Sequence, residues 1–198
     1  MSATVATKTK VDLKTTVDLV EELYRVPEHG KAEIINGRVV RFMATGKRPG
    51  RASSRIWRSL DDYESLIGGG LAVNDNVGFI VDLPDRKSFS PDAAWYPGEI
   101  GDKETEMKFF DGAPVFAAEV RSENDYGEAA EREMAAKRLD YFAAGTTVVW
   151  DVDLLGEDVV RVYRADDPDS PTIFRRGETA DAEPAVPGWR MPVDDLFR

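Results

Sequence analysis

The chain has no cysteine and only one histidine, His29, among its 198 residues. The first absence excludes disulfides, thiolate metal sites and thiol nucleophiles. The second excludes a zinc site built from several imidazoles and a histidine relay with a second base. Any catalysis must therefore rest on carboxylates, Lys, Tyr, Ser or a bound metal. His29, in a turn beside Pro27, reads as a loop residue. Long apolar runs are also missing: none approaches the roughly 18 to 20 residues of a membrane-spanning helix, and the N-terminal MSATVATKTK lacks the apolar stretch of a secretion signal. A soluble, cytoplasmic protein is the expectation. Positive charge is scarce too, with 26 Lys and Arg against 37 Asp and Glu and a net charge of -11, a balance that in bulk repels a polyanion. One stretch goes the other way. Residues 41–58 hold Arg41, Lys47, Arg48, Arg51, Arg55 and Arg58 and no acid.

What the chain does have is a hydrophobic content of 42% and an aromatic content of 10%, spread along its length, which is the composition of a folded globular protein. Residues 1–14 are polar and without periodicity and read as a loose arm. Residues 15–198 read as a single domain, with no repeat, low-complexity tract or linker. Thr16–Tyr24 places Val17, Val20, Leu23 and Tyr24 at helical spacing. Residues 32–42 alternate around Asn36-Gly37, the strongest short hairpin signal, with Glu33 on the first strand. Gly46–Gly50 reads as a break, and Ala52–Ile67 as a second helix stopped by Gly68-Gly69-Gly70. A meander of strands follows at Leu71–Val73, Val77–Val81 and Ala93–Tyr96. Pro97–Gly112 is a charged loop, Pro114–Arg121 an almost wholly apolar strand, and Asp125–Ala144 a third helix. Strands at Thr146–Val152, Val159–Tyr163 and Thr172–Phe174 and a turn at Asp194–Phe197 complete the chain. The order specifies an α/β fold: a mixed central sheet flanked by helices, with an N-terminal helix and β-hairpin.

An acid on a buried central strand is costly unless it is paired, protonated or holding a cation, and Glu119 is such an acid. Asp92 stands at the mouth of the strand Ala93–Tyr96. Two carboxylates on neighbouring strands form the oxygen pair that Mg²⁺ prefers, water and a phosphate completing the coordination. Pro84-Asp85-Arg86-Lys87 offers a second Pro-Asp, but it reads as a turn with no strand after it. Lys137 interrupts the apolar stripe Ala130, Met134, Tyr141, so it either points at the sheet or pairs at i, i+4 with Glu133 on the surface. Arg51, Arg55 and Arg58 share one helical face and either contact phosphates or form a solvated face.

Pro91-Asp92 followed by Glu119-Val120-Arg121 resembles the Pro-Asp … (Asp/Glu)-x-Lys signature of the restriction-endonuclease-like nuclease superfamily. The wider set, Glu33–Arg38, Ser90–Ala93, Ala118–Ser122, Lys137 with Tyr141–Gly145, Val149–Val152, Val162-Tyr163 and Pro187–Pro192, resembles the bacterial restriction-endonuclease family called Uma-two, in that family's order over residues 15–198. The resemblance implies a restriction-endonuclease-like core. It also implies Glu33, Asp92 and Glu119 as acids of a Mg²⁺ or Mn²⁺ site, and Lys137 as the lysine supplied from the following helix. Arg121 stands where the superfamily motif has Lys. The implied activity is metal-dependent hydrolysis of a phosphodiester, with DNA as substrate, catalysed by Asp92, Glu119 and Lys137. Arg51, Arg55 and Arg58 would flank the mouth of the carboxylate cluster and bind the nucleic acid. Cutting both strands is simplest with two sites on a two-fold axis, which admits a homodimer. The alternative is an inactive relative, the same fold kept as a module that binds nucleic acid or a protein.

Overall fold

The computed structural model describes residues 15–26, 30–99 and 107–198, so the arm of residues 1–14 and the turn holding His29 lie outside the described residues. Helix α1 (Thr16–Tyr24) is capped by Thr15, whose hydroxyl accepts from the Asp18 amide while the Asp18 carboxylate answers the Thr15 amide. Its buried Leu19 and Leu23 meet Ile34 on the hairpin of β1 (Ala32–Ile35) and β2 (Arg38–Arg41). Asn36 and Gly37 both take positive φ, 50° and 68°, as the two central residues of a tight hairpin turn require.

Helix α2 runs from Lys47 to Ile67 and so begins five residues before the expected Ala52. Gly46, Pro49 and Gly50 read as a break in the sequence, but Pro49 falls in the first turn, where an amide has no helical partner to lose. Its stripe Ala52, Ile56 and Leu60 is fully buried. Full burial of the two larger side chains stabilises by roughly 1.5–3 kcal/mol each. Gly68, with φ of 72°, ends the helix.

The strands after α2 are not the expected meander. Strand β3 (Leu71–Asn74) pairs antiparallel with β6 (Ala93–Tyr96), while β4 (Phe79–Ile80) and β5 (Ser88–Phe89), which lie between them in sequence, join β7 (Phe110–Asp111), which follows them, in a separate three-stranded sheet. Strand β8 (Phe116–Val120), helix α3 (Glu128–Ala143) and β9 (Val148–Val152) make a parallel crossover unit. Strands β10 (Val160–Arg164) and β11 (Asp167–Phe174) follow antiparallel, giving a six-stranded mixed sheet in the order β11-β10-β9-β8-β6-β3. Strand β11 is longer than expected because Pro168 and Pro171 suggest a loop, yet it lies at the sheet edge, where a missing donor is tolerated. A small hairpin of β12 (Thr179–Asp181) and β13 (Arg190–Pro192) and a 3-10 turn over Val193–Phe197 close the chain.

The sheet separates two layers. On one face α2 packs on Ala93, Phe116, Ala118, Val120, Val148 and Trp150, with Trp150 stacked on Trp189 at 4.9 Å. On the other, Ala94, Ala117 and Val149 meet Tyr141 of α3 and Phe89. No helix among the described residues is long and apolar enough to cross a membrane.

Candidate active site

Alternation along β8 puts Glu119 on the face of Ala117, under α3, while Phe116, Ala118 and Val120 face α2. The register of β6 on β8 pairs Ala93 with Ala118, and one step further sets Asp92 opposite Glu119 on the same face. The register of β3 on β6 pairs Asn74 with Ala93, so the next step sets Asp75 beside Asp92. Three acids therefore stand in a row across three strand ends.

Lysines interleave the row. The Lys31 ammonium lies 2.7 Å from Asp92 Oδ1 and 2.9 Å from Asp75 Oδ1. Lys137, turned inward from α3, lies 2.8 Å from Glu119 Oε1 and 3.2 Å from Glu33 Oε1. It makes no surface pair with Glu133. Asp92 Oδ2 accepts the Val120 amide at 2.7 Å, and the Tyr141 phenol donates to Glu119 Oε1 at 2.6 Å. Glu33 is fully buried on the first hairpin strand. Its Oε2 takes the Arg86 guanidinium at 2.5 Å and its Oε1 the Ser90 amide at 3.1 Å, while Arg86 Nε also donates to Asp140 on α3.

The electrostatics follow from burial and these pairings. Burial pushes the Asp92 carboxyl above its usual range and the Glu119 charge adds to that, with Lys31 opposing. Burial works on Glu119 in the same sense, but the Lys137 and Lys31 ammoniums outweigh it and hold that carboxyl below its usual range. Burial would lower Lys137, yet Glu119 and Glu33 prevail and its pKa rises; Lys31 is raised in the same way by Asp92, Glu119 and Asp75. Burial lifts the Tyr141 phenol well above its ordinary value, and the Glu119 charge lifts it further. Two carboxylates paired across strands thus titrate in opposite directions.

Glu33, Glu119 and Lys137 are in direct contact, and Asp92 shares their sheet face. Arg51, Arg55 and Arg58 are elsewhere. They belong to α2, which covers the opposite face, so they do not flank the acids: Arg51 donates to the Arg198 carbonyl at 2.9 Å and Arg58 lies 3.7 Å from Asp62 on its own helix. Arg121 is also accounted for. Its fork grips both oxygens of fully buried Asp151 at 2.7 Å and reaches Glu131 on α3, and Arg138 reaches Asp151 at 3.1 Å.

Sequence reasoning passed over Lys31, Asp75, Arg86 and Tyr141. Lys31 stands two residues before Glu33, just ahead of its strand, and Tyr141 lies at i+4 from Lys137, so period alone could have found those two. Arg86 was hidden in the rejected Pro84–Lys87 turn. Nothing local marks Asp75.

The class of fold is a nuclease-type α/β domain. The chain is similar over 90% of its length to the crystal structure of "a putative nuclease belonging to DUF820" from Anabaena variabilis, covering 97% of that chain at 18% identity with a TM-score of 0.69. No curated protein matches. Residues 20–194 match the Uma2 family, described as "Putative restriction endonuclease", and the chain belongs to that family.

Proposed function

We propose that the protein is a metal-dependent phosphodiesterase acting on DNA, with its reaction centre where Asp92, Glu119 and Lys137 meet. The observation that carries this reading is the inward Lys137, bridged to Glu119 from a helix and seated beside an acid pair that neighbouring strands bring together. Hard carboxylate oxygens at two strand ends suit Mg²⁺ or Mn²⁺, which takes one or two carboxylates and completes its shell with water and phosphate. Among the described residues no group of three or more His, Cys, Asp or Glu is placed to hold a metal. That favours a two-carboxylate site, Asp92 and Glu119, over one that includes Glu33. Both Glu33 oxygens are already engaged, by Arg86 and by Lys137 with the Ser90 amide, so its part is to position Lys137. The site also carries spare negative charge. Five carboxylates, counting Asp75 and Asp140, face the cations Lys31, Lys137 and Arg86, leaving two charges for one divalent ion to balance.

When bound, the metal supplies positive charge to polarise the phosphate. The chain's own residues do the rest. Lys137, held charged between two carboxylates, orients the attacking water by hydrogen bonding and offsets charge on the phosphorane, a role that suits an ammonium better than proton abstraction does. Tyr141 and Glu33 hold Glu119 and Lys137 in place. The products would be a 5′-phosphate and a 3′-hydroxyl.

The test is cleavage of duplex and single-stranded DNA with Mg²⁺ or Mn²⁺, beside Asp92→Asn and Glu119→Gln. Cleavage by the parent alone, abolished by chelation, supports the reading. Equal cleavage by all three proteins removes Asp92 and Glu119 from the reaction centre, and none by any with either metal hands the case to an inactive binding module.

A further inference from the structure

We infer that Lys31 is a tethered counter-cation that a divalent metal must displace from Asp92, and that Asp75 is the carboxylate that receives it. The inference rests on the metal-site reading above and adds a competitor to it. Lys31 bridges Asp92 Oδ1 at 2.7 Å and Asp75 Oδ1 at 2.9 Å, so one ammonium already spans two acids at the place where a cation is wanted. The other Asp92 oxygen, Oδ2, is partly engaged, since it accepts the Val120 amide at 2.7 Å. An ammonium and a divalent ion on one carboxylate would repel at close range in a partly dry site.

The receiving seat is built by strand register. Asp75 stands one step beyond the Asn74–Ala93 pair, beside Asp92, so the ammonium can leave one acid and remain on the other. The two acids differ in setting: the Asp92 side chain is 16% exposed and that of Asp75 36%, with the Asn76 amide fixing Asp75 Oδ1 at 2.7 Å. Asp75 is thus the wetter position, and the four-carbon lysine stem is flexible enough to follow it. Metal entry then costs the Lys31–Asp92 contact but strands no charge. Without metal, Lys31 keeps the acid row from repelling itself and holds the strand ends together.

The experiment is calorimetric titration of the full chain with Mn²⁺ alone, on the parent, Lys31→Met, Asp75→Asn and the double variant, with Lys31→Gln as a second test of the lysine and Asp92→Ala as the control for the metal site. A coupling of the usual size corresponds to a change of roughly 5-fold to 150-fold. Lys31→Met and Lys31→Gln should therefore tighten Mn²⁺ binding about tenfold. Asp75→Asn should weaken it, and by about fivefold more when Lys31 is present than when it is Met, because only then is a receiving seat lost. Unchanged or weaker Mn²⁺ binding in both Lys31 variants, with Asp92→Ala still abolishing it, overturns the displacement and leaves the metal site standing. Equal effects of Asp75→Asn in the two backgrounds overturn its role as the seat. Absence of Mn²⁺ binding in the parent and both Lys31 variants removes the metal site and this inference together.

Discussion

Helix α3 covers two ionic assemblies on one face of the sheet, and they are built differently. Towards β9, fully buried Asp151 is clasped by Arg121 and Arg138, with Glu131 on the outer side of Arg121 and the Tyr163 ring 4.0 Å from the Arg138 guanidinium. Towards β6, Glu119 and Asp92 are partly exposed and are met by lysines, Lys137 and Lys31. Guanidinium forks fix geometry by pairing bidentately and cannot give up their charge; ammoniums are point charges on flexible stems that can move. The closed arginine assembly fastens the helix to the sheet. The open lysine assembly, carried by the same helix, is where chemistry has room. Arg121 in the motif-lysine position belongs to the first, and Glu119, two residues before it, to the second.

The comparison breaks most visibly at Asp151. Asp151→Asn should cost about 3–5 kcal/mol, since it removes the buried carboxylate that pairs both Arg121 and Arg138 and leaves Arg121 only Glu131, and urea unfolding followed by tryptophan fluorescence reads it. Arg121→Lys, which restores the motif residue, should cost about 1.5–3 kcal/mol for its lost charged hydrogen bonds and add no cleavage activity. A gain in DNA cleavage would place Arg121 in the wrong assembly.

A pH series sharpens the lysine side. The folded pKa of Lys137 is raised above the ordinary 10.5 by Glu119 and Glu33 against the pull of burial. Its stabilisation is therefore complete below about pH 10.5 and drains away as the pH climbs through the folded value. The parent should lose more stability than Lys137→Met between pH 10.5 and the folded value, measured by denaturant midpoints. The smallest effect belongs outside both assemblies. Arg58 and Asp62 are 68% and 70% exposed, so Arg58→Glu should shift stability by no more than about 0.5 kcal/mol and leave the cleavage rate within about twofold.

How much of this was legible in the sequence divides along the same physical line. Local chemistry reads well: α1 from its spacing, the hairpin from Asn36-Gly37, the end of α2 from Gly68. Local chemistry also misleads where context decides, as with Pro49 inside the first turn of α2 and Pro168 and Pro171 on an edge strand. In the site, Glu119 was conspicuous because an acid on an apolar strand needs a reason. Arg86 was not, because the turn around it hides a guanidinium that reaches Glu33, 53 residues away in sequence. Asp75 depends wholly on the register of β3 against β6, which no local pattern encodes. The basic run on α2 was overread for the converse reason: its charge pattern is real, but the face its apolar stripe chooses is a tertiary fact.

The most direct measurement is the single-turnover cleavage rate of Lys137→Met on DNA with Mn²⁺, taken beside its unfolding free energy. The account predicts a loss of at least about a hundredfold in rate, with a stability loss well short of that of Asp151→Asn. A rate within a few fold of the parent, in a protein that cleaves DNA, would contradict it.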